Sequence, residues 1–446
     1  MKKVLITLVI IMAIFLAFPL VGNKLIESTI NDRVEVLASY GLEVKKSQTQ
    51  NAYLSTKKHF IFKVQDSDKF VTYLNQFSDT QLPPYVDALV DGAEIGIDAK
   101  YSNIPLNDTL SLDIYPNAMP LQMVEKLKTN DIEFYKHLKD LLQNKTLVYH
   151  LNYDVINDSF DGYIKDINEN RTLIDGTVLS LKLSDATFNG KGMLIAPDLL
   201  ISNIKKFYLN VRLKDEYVNI DISDFTSSSV FESKTTYATT LKFNILKWDV
   251  KDEKETDFHV QLQNLALDFS SNTQSIKADF FAKTSLDMMK VKTVDTEINI
   301  HKFNYDSALL GVSTDSYEKL VSLISRAKLD SSAKLQKKIE ITFQELISRG
   351  MILDIANLSI QDISTAKTKN LGALSIQSKI KFKQDRDLVK KLQMNPMTML
   401  QTTDIELLFK VSKKIYAKLA LISPVMSLAK NFAREDKNLI VFDIKL

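Results

Sequence analysis

A two-residue alternation of apolar and polar side chains recurs along most of this chain and constrains its fold more than any other feature. It is clearest over residues 147–155, 207–213 and 241–245. Because successive side chains of a strand point to opposite faces, this period is typical of half-buried β-strands. Many short strands in succession, without the spacing of β-α-β units, predict an antiparallel meander.

Three local features are expected to interrupt or end strands. The alternation changes phase at Gln263-Asn264, which predicts a bulge or a tight bend there. The segment at residues 189–192, Asn-Gly-Lys-Gly, lies between two strand-like runs, and we interpret it as a hairpin turn rather than a phosphate-binding loop. Trp248, the only tryptophan, is expected to pack against the core where a strand ends.

Helical spacing of apolar residues replaces the alternation in several places. One such helix, restarting at Thr129-Asn130, is predicted over residues 120–143. Another covers 315–349 and is expected to break at Asp330-Ser331-Ser332. The remaining helical segments are predicted at 24–40, 68–77 and 412–434.

The N-terminus carries an uncharged apolar run. Residues 4–21 contain Thr7 as their only polar side chain, and Lys2 and Lys3 precede them. A run of this length can just span a bilayer, and the lysines favour a cytoplasmic N-terminus. A cleaved signal peptide is the alternative, but Leu20 stands where a small residue would be needed for cleavage. The sequence therefore predicts a signal anchor, or transmembrane helix, over residues 1–22.

Together these patterns predict an α+β fold, namely an elongated antiparallel β-meander body with interspersed helices that follows the N-terminal transmembrane helix. Residues 23–41 are expected to form a membrane-proximal helix, either a stalk or a helix docked on the body. Residues 42–446 are expected to form a periplasmic β-rich body, as one unit or as two lobes at about 42–305 and 306–446.

Composition excludes several classes of chemistry. Lysine and arginine number 57 against 55 aspartate and glutamate, so no electrostatic footprint for nucleic acid is present. The chain has no cysteine and therefore no thiolate nucleophile or disulfide framework. Its histidines are His59, His137, His150, His259 and His301, and none of them has the spacing of a helical metal-ligand pair. We assign no catalytic, cofactor-binding or metal-ligating residue from the sequence and expect no cofactor.

The order of elements near the N-terminus resembles that of a known family. Gly41-Leu42-Glu43-Val44 leads to Tyr53-Leu54-Ser55-Thr56 and then to a strand through Phe60-Ile61-Phe62, as in the YdgA family of bacterial envelope proteins. Tyr53 and Ser55 match the family pattern, whereas its Arg-Gly pair is absent and the spacing is shortened. The resemblance implies a periplasmic protein anchored in the inner membrane, and it supplies no catalytic or binding residues.

Three functions remain open from the sequence. The first is a non-enzymatic, membrane-anchored periplasmic scaffold or assembly factor, whose exposed strand edges would pair with other envelope proteins. The alternative is binding or transfer of lipid or another apolar ligand along a β-sheet groove. The third, an enzyme acting on envelope material, has no local motif in its favour. The expected partners are the inner membrane, other envelope proteins or lipid, and no nucleic acid.

Overall fold

The structure is a computed structural model that divides into two compact units, the first ending at Lys206 and the second beginning at Phe207. The two-lobe division expected near residue 305 stays a prediction. The residues that the structure describes are 24–75, 86–104, 109–193, 196–214, 216–233, 236–252, 257–274, 276–327, 332–385, 387–395, 401–422 and 430–446.

The first unit consists of short strands with helices between them. In chain order its elements are α1 (Lys24–Ser39), β1 (Leu42–Asn51), β2 (Ser55–Val64), α2 (Ser67–Asn75), α3 (Val86–Val90), β3 (Glu94–Ser102), β4 (Thr109–Ala118), α4 (Leu121–Asn130), α5 (Ile132–Gln143), β5 (Tyr149–Asp154), β6 (Ser159–Ile164), β7 (Ile167–Thr172) and β8 (Val178–Met193). Strand β9 (Ala196–Leu213) contains the boundary between the units.

Strands of the first unit pair antiparallel with their neighbours in sequence from β1 to β6, and β8 then pairs with both β6 and β7. Helix α1 docks on these strands, since Ile26 is 0% exposed and joins Phe60 and Phe62 in one buried cluster. Lys58 of β2 also forms an ion pair with Glu27 of α1 at 3.2 Å. The helix predicted at 24–40 is therefore packed on the β-rich unit rather than standing free as a stalk.

The second unit begins with the longest strands of the chain. Its elements are β10 (Glu216–Phe231), β11 (Tyr237–Lys251), β12 (Asp257–Gln274), β13 (Lys277–Lys292), β14 (Glu297–Ser313), α6 (Thr314–Ala327), α7 (Ala333–Ser348), β15 (Met351–Thr365), β16 (Leu374–Phe382), α8 (Leu388–Met394), β17 (Thr403–Ser412), α9 (Lys413–Ile422), a 3-10 turn (Lys430–Phe432), β18 (Arg434–Asp436) and β19 (Leu439–Lys445).

Strands β10 to β17 pair antiparallel in chain order, and β19 then pairs with β17 and β18. Two buried clusters stabilise this unit. One joins α6, α7 and α8 to the ends of β14 and β15 around Val312 and Leu388. The other joins α9 to β17 and β19 around Val411 and Phe442. Both clusters lie where a helix covers a strand, which is how an amphipathic helix buries its apolar side.

The predicted fold class is wrong. More than half of the described residues lie in strands, the described ladders are antiparallel, and the chain is mostly large antiparallel β-sheet rather than an α+β body behind a transmembrane helix. The helices are short segments between strands. Local apolar spacing identifies α1, α2, α4, α5, α6 and α7, but it misses α3 and α8, and the segment predicted as one helix at 412–434 contains α9, the 3-10 turn and the start of β18. It also does not show that the strands between the helices pair so extensively.

The prediction of a membrane anchor is also corrected. Residues 1–22, on which it was based, lie outside the described residues. Within the described ranges, no helix combines the length and the apolar character needed to cross a bilayer. Helix α1 has 16 residues, includes Glu27, Asp32, Arg33 and Glu35, and packs on strands. The predicted single-pass location in the inner membrane therefore has no support from the described helices.

The hairpin predicted at residues 189–192 is wrong as well. Asn189 and Gly190 lie inside β8, where they pair with Asp161 and Phe160 of β6. A Cβ atom added to Gly190 would clash with the ring of Phe160. Glycine inside a strand marks a close approach by another group, and here that group is an aromatic ring on the neighbouring strand.

Candidate functional site: an apolar sheet face

One half of the long-strand sheet in the second unit carries apolar side chains at every second position. Thirteen residues form this apolar face, three each from β10, β11 and β12 and two each from β13 and β14. They are Val218, Ile220, Ile222, Leu246, Trp248, Val250, Phe258, Val260, Leu262, Met289, Val291, Ile298 and Ile300.

The register of the strands aligns these residues in rows. Trp248 lies opposite Ile220 on one side and Val260 on the other, and Val260 lies opposite Val291. The next row joins Ile222, Leu246, Leu262, Met289 and Ile300 in the same way. Directly opposed residues of an antiparallel pair share one face, and so do residues two apart. The thirteen side chains therefore form one continuous surface about 19 Å wide, taken as four strand spacings.

This surface is not a closed core. None of the thirteen residues is buried, Val218 is 38% exposed, and Trp248 is 47% exposed. None of them belongs to the buried clusters of the described chain. Contiguous apolar surface left open to solvent is typical of an interaction site or a ligand-binding groove.

The opposite face of the same strands is polar. Asn219 donates a hydrogen bond to Asp249 at 2.8 Å, and His259 contacts Asp249 at 3.0 Å. Lys290 forms an ion pair with Glu297 at 3.2 Å. Exposed ion pairs of this kind add little stability, but they show that this face is suited to water. The sheet thus separates a hydrated side from an apolar side.

Trp248 differs from its sequence-based expectation. It lies within β11 rather than at the end of a strand, and almost half of its surface is exposed. Its ring meets that of Phe258 edge to face, with centroids 5.7 Å apart and an interplanar angle of 82°. This is a favoured geometry for two aromatic rings, and it leaves the indole on the open apolar face.

The apolar face ends at a line of left-handed residues. The φ values are +50°, +52° and +53° at three residues on alternate strands, namely Asp224, Asn264 and Lys302. At Asn264 the register does not shift, because Gln263 faces Ile245 and Leu265 faces Phe243. The predicted irregularity is therefore present as a change of backbone conformation without an inserted residue, and the apolar positions change phase at that point.

Hydrogen bonds between polar side chains join these left-handed residues to the neighbouring strands. Lys302 Nζ and Asn264 Nδ2 donate to the two carboxylate oxygens of Asp287 at 2.5 Å and 2.7 Å. The hydrogen bonds from Lys302 and Asn264 keep the pKa of the Asp287 carboxyl below its ordinary value. Asn244 Nδ2 donates to Asp224 at 3.0 Å.

Comparison with protein-family models, with curated proteins and with solved structures found no match to this chain. The resemblance to the YdgA family therefore stays an expectation, and the candidate site has to be argued from its own geometry.

The histidines considered from the sequence are not brought together into one site. Three of them contact an aspartate on a neighbouring strand, namely His59 with Asp98 at 2.6 Å, His150 with Asp113 at 2.6 Å and His259 with Asp249 at 3.0 Å. His301 lies opposite Asp362 of β15. Within the ranges that the structure describes, no three His, Cys, Asp or Glu residues form a group able to hold a metal ion. Each contact is an ordinary cross-strand pair.

The apolar face offers hydrocarbon and aromatic contacts and no titratable side chain. Such a surface binds by removing apolar area from water, at about 25 cal/mol per Å². Sequence alternation identifies these strands, but whether another layer covers them depends on tertiary structure, and no pattern within a strand reports on that.

Proposed function

We propose that this protein binds lipid acyl chains, or similar extended apolar molecules, along the apolar face of β10–β14. The observation that carries the proposal is the continuous row structure of that face, in which Ile220, Trp248, Val260 and Val291 lie side by side, Trp248 exposed and the other three half-buried. An acyl chain is flexible and linear, so it can follow such rows, whereas a compact ligand needs an enclosed pocket.

The border of the face supports an amphiphile rather than a pure hydrocarbon. Lys251 and Lys292 follow directly after Val250 and Val291 at the ends of β11 and β13. These two lysines alternate to the polar side of the sheet, so a polar or anionic headgroup reaches them around the ends of the strands while its chain lies along the apolar side. Lysine ammonium groups are compact point charges suited to such contacts with phosphate or carboxylate.

The membrane-anchored scaffold, which the sequence also suggested, has no comparable support once the anchor is removed from the account. A second copy of the chain is the remaining rival occupant of the apolar face, because two such faces could cover each other. Sedimentation of the purified chain with and without lipid separates this case, since a face that serves self-association gives a stable dimer that lipid does not dissociate.

The decisive variants are neighbours on one strand. Val260→Glu places a charge in the middle of the apolar face, whereas Gln261→Glu places the same charge on the polar face, where Lys247 and Lys290 lie opposite. Binding is measured by displacement of a fluorescent acyl probe, and retained lipid is identified by native mass spectrometry of the purified chain.

The proposal expects Val260→Glu to weaken probe binding by about tenfold or more, because burying an unpaired carboxylate costs at least a few kcal/mol. Gln261→Glu should bind as the unmodified chain does. Equal binding by both variants, or no lipid and no probe bound by the folded chain, would overturn the proposal. A lipid-insensitive dimer would assign the face to self-association instead.

A further inference from the structure

A separate cavity lies in the first unit, between the helices α4 and α5 and the strands β4, β7 and β8. Its volume is about 270 Å³, close to the lower end of the range for small-molecule sites. Leu138, Leu141, Ile167, Leu179 and Leu181 are among its lining residues, and the accessible lining is wholly apolar. Helix α5 presents one apolar side to the sheet and leaves this space beneath it.

Three polar residues at the edge of the cavity are linked by hydrogen bonds. Arg171 of β7 donates to His137 Nδ1 at 2.5 Å, and His137 Nε2 contacts Glu169 at 3.0 Å. Because Nδ1 accepts from the guanidinium, Nε2 carries the proton and donates it to the carboxylate. The imidazole of His137 is therefore held between two partners, with the carbon atoms of all three side chains facing the cavity.

Arg171 keeps donors available for a ligand. A guanidinium has five N–H groups, and His137 accepts from one of its nitrogens. Among the described residues, the structure shows no carboxylate paired with Arg171. Arg171 and His137 also line a second, polar cleft beside the cavity. The guanidinium thus lies where an apolar chamber meets water.

The charge around this edge selects against a charged ligand. Asp131, Glu133, Asp140 and Glu169 surround it, while Lys136, paired with Glu133 at 2.9 Å, is the other nearby cation besides Arg171. This excess of carboxylates repels an anion, and the apolar lining disfavours any ion. A neutral oxygen acceptor can still receive a hydrogen bond from Arg171.

We propose that this cavity binds a small neutral molecule with an apolar body and one acceptor oxygen, such as a medium-chain ketone or alcohol. The body occupies the space under α5, and the oxygen lies at the edge shared with the polar cleft, where it accepts a hydrogen bond from Arg171. This site is in the first unit and does not depend on the apolar face of β10–β14.

The test measures binding of 2-octanone to the full chain by isothermal titration calorimetry, with octanoate and octylamine as charged probes of the same length. The proposal expects 2-octanone to bind more tightly than either ion. Leu138→Phe, which fills the cavity, should abolish binding, and Arg171→Met should weaken it about tenfold, the usual effect of losing a hydrogen bond to a charged group.

Two control variants and a measurement of thermal unfolding keep the result specific. Lys182→Met removes one positive charge from β8, as Arg171→Met does from β7, but it does not reach the cavity, so it should bind 2-octanone normally. Thermal unfolding of each variant shows whether it is folded. Val260→Glu should also bind 2-octanone normally, which separates this cavity from the apolar face. Tighter binding of octanoate, equal loss in Lys182→Met, or unchanged binding in folded Leu138→Phe and Arg171→Met would overturn the assignment.

Discussion

Gly162 of β6 lies directly opposite Phe188 of β8, and the aromatic ring fills the space that a side chain at Gly162 would occupy. The ring of Phe188 is also stacked on Tyr149, with centroids 4.7 Å apart. The same relationship joins Gly96 to Tyr115 and Gly190 to Phe160. Opposed glycine and aromatic residues thus recur in the first unit as a packing device, in which the ring covers the bare backbone.

Gly162→Ala should destabilise the protein, because the added methyl group clashes with the Phe188 ring and with the backbone oxygen of His150. Overpacking of this kind costs about 1–3 kcal/mol. Denaturant unfolding followed by circular dichroism measures the change. At Gly176, where φ is +87° and no atom lies within 4 Å, alanine introduces backbone strain alone. If Gly162→Ala left the free energy of unfolding unchanged, the ring would have to move away freely.

Asn264 should be replaceable by glycine but not by a β-branched residue. Its φ of +52° is accessible to glycine, whereas other L-residues pay about 1–2 kcal/mol for that region. We therefore expect Asn264→Val to lower the free energy of unfolding by at least that amount and Asn264→Gly to lower it much less. Gln263→Val, one residue earlier and without a positive φ, is the control. Similar losses at both positions would contradict this explanation.

Asp131 should make stability depend on pH. Its carboxylate accepts hydrogen bonds from the backbone N–H groups of Ile174 and Phe134, each at 2.9 Å, and these bonds lower its pKa. A carboxyl whose folded-state pKa is depressed contributes stability above its unfolded pKa and loses it as pH falls through the folded value.

The matched variant is Asp131→Asn, which keeps an acceptor oxygen but does not titrate. The melting temperature of the unmodified chain should exceed that of Asp131→Asn at neutral pH, and the difference should shrink as pH falls below about 4, the ordinary range of aspartate. A difference that stays constant down to acid pH would mean that the carboxylate charge contributes nothing to the cap.

Local chemistry explains which parts of this fold could be predicted. Asp330 and Ser331 of the predicted helix break lie outside the described residues, but Ser332 caps α7 by accepting from the N–H of Leu335, so a helix begins directly after the predicted break. The restart expected near Thr129-Asn130 occurs at Asp131, which caps α5. Such caps depend on neighbours within one turn, so the sequence alone reveals them.

Tertiary relationships explain what could not be predicted. The sequence predicts a turn at Gly190, because the ring that requires glycine there, Phe160, is distant in sequence. Trp248 was expected against a core, since a large aromatic side chain is usually covered. Its exposure depends on the absence of a covering layer over β10–β14, and no periodicity within a strand reports on that.

Trp248 lies on the open apolar face and is the only tryptophan in the chain, so its emission reports directly on a ligand bound there. Dibromostearate quenches an indole that its bromine atoms contact, whereas stearate does not. We expect dibromostearate to quench Trp248 emission with saturation in the unmodified chain and in Gln261→Glu, and far less in Val260→Glu. Saturable binding of the brominated lipid without quenching, or equal quenching in all three proteins, would contradict the placement of the ligand on this face.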